Sequence, residues 1–212
     1  MQPCFAEFST LMLVFLLVLV SPGADLAMVM RQALIYGRKN ACFTAFGIGT
    51  ALMLHVSYTI LGLGFIISRS LVLFNLVKWA GVIYLVYIGI KALCAKGAMI
   101  AVTAEDTVKP VQSVHKAFLL GFTVNMLNPK AVLFFLSIFS TFVAATTPAQ
   151  VKCMYWGAMA VLTVGWFMLV SFFLTTPVMR RLYARAAKWI DRMSGTVFVG
   201  LGIRLMFQKA SS

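Results

Sequence analysis

The sequence predicts an all-α membrane protein of about six transmembrane helices, arranged as two inverted three-helix repeats with broken first and fourth helices. Three observations lead there. The composition is too apolar for a soluble domain, the loops between apolar runs alternate in basic content, and a proline-centred interruption falls at the same place in each half.

Of the 212 residues, 62% are hydrophobic and only 11% are charged. Mean hydropathy is +0.97. Charged residues usually make up about a quarter of a soluble chain, so a soluble fold of this size could not hide so much apolar surface. A span needs about 20 mostly apolar residues to cover roughly 30 Å of hydrocarbon. The chain has room for six spans and none for a separate soluble domain. Residues 1–212 therefore form one transmembrane domain, with a first repeat over about 5–93, a loop over about 94–116 and a second repeat over about 117–209.

The runs follow in order. The first extends from Phe5 to Met30 and is interrupted by Ser21-Pro22-Gly23-Ala24-Asp25. The leading MQPCFAEF lacks the basic residues that precede a secretory signal's apolar core, so this run is read as a retained helix. A short loop with Arg31, Arg38 and Lys39 separates it from the second run, Ala41 to Ile67, which contains His55. The third runs from Leu71 to Ile90. A polar stretch from Lys91 to Lys116 leads to the fourth, Ala117 to Ala145, interrupted by Asn125-Met126-Leu127-Asn128-Pro129-Lys130. The fifth covers Tyr155 to Leu174. A basic segment with Arg180, Arg181, Arg185, Lys188 and Arg192 precedes a short last run, from Met193 or Trp189 to Phe207.

The first, third and fifth loops are rich in Lys and Arg, which keeps them cytoplasmic. Six spans then put both termini outside. Should the broken first run not cross, five spans remain and the N-terminus lies inside. The net charge of +13 is explained by these loops, which excludes a nucleic-acid partner: no basic face can be drawn on a soluble fold. The lipid bilayer is the partner that the composition demands.

The two interruptions carry the functional expectation. Proline removes a backbone donor and clashes with the preceding turn. In hydrocarbon the freed backbone groups need partners, so broken helices survive only inside the protein or along a cavity. Broken helices in corresponding positions of two halves point to a transporter's binding site. Three helices per half, an odd number, give the halves opposite orientation. A kink without function is the plain alternative for either proline alone, and less so for two matched ones, each beside a charge. The candidate substrate-binding residues are Pro22, Gly23, Asp25, Asn125, Asn128, Pro129 and Lys130. Asp25 is the one acidic residue expected deep in a span, where a charge costs at least ~2.5–3.5 kcal/mol. Asp25 and His55 are candidates for proton coupling, since imidazole titrates near neutrality; for His55 the competing role is a hydrogen-bonded packing residue.

These residues resemble the LysE/RhtB superfamily of bacterial amino-acid exporters, in particular its RhtB-like threonine and homoserine branch. The resemblance rests on SPGAD at 21–25 with Gly37-Arg38-Lys39 and Gly47/Gly49/His55/Gly62, on Lys78-Trp79-Ala80-Gly81 with Tyr84-Leu85 and Tyr87-Ile88-Gly89, on Gly121-Phe122 with Asn128-Pro129-Lys130, and on Ser194-Gly195 with Gly200-Leu201-Gly202. It covers essentially the whole chain. It implies proton-driven export of small neutral amino acids such as threonine, homoserine or their derivatives, across a bacterial inner membrane. In one place the chain departs from the family: Ala24 stands where a second proline is usual, which implies a less rigid break.

Other function classes are disfavoured. The chain lacks the GxxxxGK[ST] phosphate loop, so uphill transport would draw on an ion gradient or a partner. Four cysteines and two histidines form no CxxC or His/Cys cluster, so no metal site or cofactor is expected, and a metal or other ion exporter of the same superfamily is the second choice. An intramembrane enzyme would need a nucleophile and base together, and none is visible. The paired glycines, Gly47 with Gly49 and Gly200 with Gly202 among them, are expected at helix contacts. A homo-oligomer is left open, as no motif speaks for it.

Overall fold

The structure, a computed structural model, describes residues 2–69, 71–95, 111–143, 147–173 and 176–207, and every regular element among them is a helix. The expected cytoplasmic loop falls mostly on residues 96–110, outside the described residues, and so do Glu105, Asp106 and Lys109.

The first apolar run is two helices. α1 (Gln2–Val20) ends at Ser21, where the following Pro22 disfavours helical backbone. α2 (Ala24–Ile35) begins after Gly23, bent by 52° from α1. Its first turn carries Asp25, a carboxylate at the positive end of the helix dipole. Ala24 is its first residue, so the break stands without the second proline.

The fourth run divides in the same way. α5 (Val114–Met126) starts at a Ser113 cap, whose hydroxyl oxygen accepts from the Lys116 amide at 3.3 Å, and ends before Leu127-Asn128. α6 (Pro129–Phe142) leaves at 59° to α5. Pro129 is its first residue, where a missing N–H goes unnoticed. Asn128 caps it, its Oδ1 accepting from the Lys130 amide at 3.0 Å. The proline thus starts a new helix and does not kink an old one.

The unbroken helices are α3 (Arg38–Arg69), α4 (Leu71–Leu93), α7 (Ala149–Phe173) and α8 (Pro177–Phe207). Among the described residues, much of α3 and all of α7 are each long and apolar enough to cross a membrane, and each bent pair passes the same test when its two limbs are taken together. α8 starts well before the expected Met193 or Trp189. Its basic first half is helix, because Lys and Arg favour helix and the packed residues Tyr183, Ala187, Asp191, Ser194 and Phe198 recur at helical spacing. Arg181, Arg185, Lys188 and Arg192 fall on its exposed side.

α3 lies at the centre, packed against α2, α5, α6 and α7, while α4 pairs with α8. Glycines permit the two closest crossings. At α3–α5, a Cβ on Gly47 would collide with the Phe118 carbonyl, and one on Gly121 with the Thr44 carbonyl. At α4–α8, a Cβ on Gly195 would lie 2.7 Å from the Gly89 carbonyl oxygen. Backbone contact of this kind is how helices gain dispersion energy without a hydrophobic drive. Gly200 departs from expectation: it faces open space, with no atom within 4 Å of its would-be Cβ. The core between the crossings is filled by Leu11, Phe15, Leu26, Ile48, Phe134, Phe135 and Phe198.

Candidate functional site

The two breaks face each other. The Lys130 Nζ, from the first turn of α6, comes 3.8 Å from where a side chain on Gly23 would begin. Between them is a cavity of about 50 Å³, lined at one side by Ser21, Gly23, Asp25, Asn125, Asn128 and Lys130. Its other walls are apolar, with Phe15, Leu52, Phe134, Phe135 and Phe167. A water needs about 10–15 Å³ by such a measure, so the space holds a few waters and must widen for a larger solute.

Asp25 is held by both asparagines of the second break. The Nδ2 of Asn125 donates to Asp25 Oδ2 at 3.0 Å, and the Nδ2 of Asn128 donates to the same oxygen at 3.3 Å. Asp25 Oδ1 is left buried with no partner, and so is Asn125 Oδ1. Buried acceptors are rarely left unpaired. The two lie on adjoining residues beside the cavity, where each can accept from a donor within it.

Lys130 faces them across the break. Its ammonium lies 5.8 Å from the centroid of the Phe198 ring and within electrostatic reach of Asp25 and Asp191. Neither carboxylate forms a contact ion pair with it. A cation in the first turn of a helix opposes the dipole, at roughly 0.3–1 kcal/mol, so nothing in the helix itself favours lysine there. The combination of a helix N-terminus and an ammonium is suited to an anion.

Five expected site residues therefore meet: Gly23, Asp25, Asn125, Asn128 and Lys130. Pro22 shapes the first break without lining the cavity. The Pro129 side chain lies outside the described residues. His55 stands behind the wall. Its Nε2 is 3.1 Å from the Asn125 carbonyl oxygen and its Nδ1 is 2.6 Å from the Tyr58 hydroxyl. Among the described residues no group of three or more His, Cys, Asp or Glu side chains could hold a metal.

Several contributors went unseen in the sequence. Tyr183 and Ser194 of α8 donate to the Val20 and Leu17 carbonyls at 2.8 and 3.1 Å, supplying partners to the open end of α1. Asp191, expected at a segment end, is buried within α8. Its signal was the spacing of Ala187, Asp191, Ser194 and Phe198, hidden by the basic residues between them. Glu7 is tied down too, its Oε1 accepting from Tyr155 at 3.0 Å and Thr147 at 3.3 Å. Tyr87 is exposed, 6.0 Å below the Lys91 ammonium, and neither it nor Tyr84 lines the cavity. Cys153 is free and exposed.

Apolar helices broken around a cavity with one polar side are the architecture of a membrane translocator. The LysE type translocator family matches residues 16–209, and the chain belongs to that family. It is 34% identical over 205 residues to the threonine efflux protein of Escherichia coli strain K12, covering 95% of this chain and 98% of that one. The threonine efflux protein of Salmonella typhi is also 34% identical, over 208 residues, with the same coverage. The homoserine/homoserine lactone efflux protein of Salmonella typhi is 33% identical over 129 residues, 61% of each chain. No solved structure matches.

Proposed function

We propose that this protein is a secondary exporter of small neutral amino acids, such as threonine, homoserine or their derivatives, across a bacterial inner membrane. The observation that carries the proposal is the pair of unpartnered buried acceptors, Asp25 Oδ1 and Asn125 Oδ1, opposite the Lys130 ammonium in one cavity. A zwitterion completes both sides: its ammonium donates to the acceptors, and its carboxylate meets Lys130 and the N-terminus of α6. The apolar wall receives a short side chain. The full-length relatives named for threonine efflux support this substrate class.

The proton gradient is the proposed drive. Asp25 is the acid of the cavity, and a carboxylate can hold either a substrate ammonium or a proton. Export with the ammonium on Asp25 and return with a proton there gives an obligatory exchange. His55, the other residue the sequence offers for proton coupling, is buried and does not line the cavity.

The proposed architecture is six spans, α1–α2, α3, α4, α5–α6, α7 and α8, as one domain of two inverted repeats, residues about 5–93 and 117–209. Matched contacts support it: α3 with α7 and α4 with α8 pair equivalent helices, and α3 with α6 corresponds to α2 with α7. A metal exporter is less well supported, since the cavity offers one carboxylate beside a lysine. The test is uptake of labelled threonine and homoserine into inverted vesicles under an imposed proton gradient. Gradient-dependent uptake above that of vesicles without the protein is expected; uptake of neither, with a full amino-acid panel also negative, overturns the substrate class.

A further inference from the structure

His55 occupies a position that neither the cavity nor the cation chemistry explains. It sits on α3, fully buried, and does not line the cavity. Yet it touches both limbs of the broken α5–α6 span. Its Nε2 meets the carbonyl of Asn125, in the last turn of α5, at 3.1 Å. Its ring stacks on Phe135, in the second turn of α6, at 6.2 Å between centroids and 16° between planes. The Tyr58 hydroxyl, one turn along α3, fixes the other nitrogen at 2.6 Å.

The Asn125 carbonyl is one of those released when α5 stops. It accepts from the Asn128 amide at 3.0 Å, bridging the break, and from His55. A carbonyl can only accept, so the hydrogen is on Nε2. In a neutral ring Nδ1 is then the acceptor, and the Tyr58 hydroxyl donates to it. Which nitrogen carries the proton is set by the bond the other makes. The side chain of the same Asn125 reaches Asp25 Oδ2 at 3.0 Å.

We propose that His55 is a positioning residue, held as the Nε2–H tautomer between Tyr58 and the Asn125 carbonyl, that fixes the open end of α5 and so aims the Asn125 amide at Asp25. It acts by donating one hydrogen bond and by packing on Phe135, and it exchanges no proton during transport. The titratable groups linked to this network are Tyr58 on its own helix, bonded to the ring, Asp25 on α2, reached through the Asn125 side chain, and Lys130 on α6, which acts on Asp25. The proposal rests on the exporter reading, in which the same carboxylate receives the substrate.

Two measurements on the full-length protein test it. The chain has two histidines, His55 and His115, so a His115→Gln variant with 15N-labelled histidine reports on His55 alone. Its spectrum should show protonated Nε2 and bare Nδ1 unchanged from about pH 5.5 to 8.5, the range in which a free imidazole would titrate. A shift to the doubly protonated form in that range overturns the proposal, and this readout needs no substrate. The second measurement is transport by reconstituted protein. In His55→Gln the amide retains a donor for the Asn125 carbonyl but cannot titrate, and should keep the pH profile with KM within about threefold. His55→Leu keeps bulk but loses the donor, and should raise KM roughly tenfold or more. Loss of gradient-driven export in His55→Gln, with substrate exchange at equilibrium intact, would make His55 a proton carrier and overturn the proposal. Equal transport by His55→Leu and the unmodified protein would overturn it also. If the unmodified protein moves no amino acid, the exporter reading fails, while the spectrum still decides the tautomer.

Discussion

Asn125 and Asp25, a hundred residues apart, are joined by a hydrogen bond of 3.0 Å from Nδ2 to Oδ2. It ties the end of α5 to the start of α2, so each half of the chain supplies one side of the contact. Hydrogen bonds to a charged group contribute about 1.5–3 kcal/mol. Asn125→Ala leaves Asp25 with the longer 3.3 Å bond from Asn128 alone. The variant is expected to reach the membrane at normal levels and to transport with KM raised roughly tenfold, the equivalent of about 1.4 kcal/mol. Concentration dependence of labelled threonine uptake into inverted vesicles measures it. An unchanged KM would mean that Asn125 does not set the carboxylate.

Glycine substitutions separate close crossings from open positions. Gly121→Ala drives a methyl group into the Thr44 backbone, and Gly47→Ala drives one into the carbonyl of Phe118. Neither backbone can move aside cheaply, and overpacking of this kind costs about 1–3 kcal/mol. Both variants should lose several degrees of thermal midpoint in detergent. Gly157→Ala and Gly200→Ala, with nothing within 4 Å, should melt with the unmodified protein.

Two native thiols report the orientation. Cys94 follows α4 and Cys153 lies in the first turns of α7, and both are free and exposed. The basic loops predict Cys94 inside and Cys153 outside. With Cys4 and Cys42 replaced by serine, an impermeant maleimide added to intact spheroplasts should label Cys153 and spare Cys94. Inverted vesicles should give the opposite pattern. Labelling of both from one side would contradict an odd number of spans between them.

The two breaks were legible in the sequence because proline acts locally. Pro22 and Pro129 fixed both breaks to within a residue or two, and the residues beside them, Asp25, Asn125, Asn128 and Lys130, do meet. Partner choice was not legible, because it depends on how far each limb turns. Asp25 is held by two amides from the second break, while Lys130 lies along the first break. The start of α8 was missed for a different reason. Its packed stripe, from Tyr183 to Phe198, is diluted by arginines and lysines that belong to another face of the same helix. Only the helical period separates the two, and a window average blends them.

Asp25 and Lys130 offer the most direct test of how the cavity divides its labour. Each is costly alone in an apolar setting, and each faces the same space. If they formed an ion pair, removing one would strand the other, and removing both would restore part of the loss. The geometry favours separate tasks: Asp25 is satisfied on one oxygen and open on the other, while Lys130 lies against Gly23 and Phe198. Asp25→Asn keeps shape and loses the charge that holds an ammonium or a proton, so export should fall to the background of empty vesicles. Lys130→Met keeps the stem and loses the partner of the carboxylate, so KM should rise at least ~tenfold. The double variant Asp25→Asn/Lys130→Met should be as inactive as Asp25→Asn alone. All three are to be compared at matched membrane levels, by gradient-driven uptake of labelled threonine. Partial recovery in the double variant would mean that the two charges neutralise each other during the cycle, and full-rate export by Asp25→Asn would remove Asp25 from both binding and coupling.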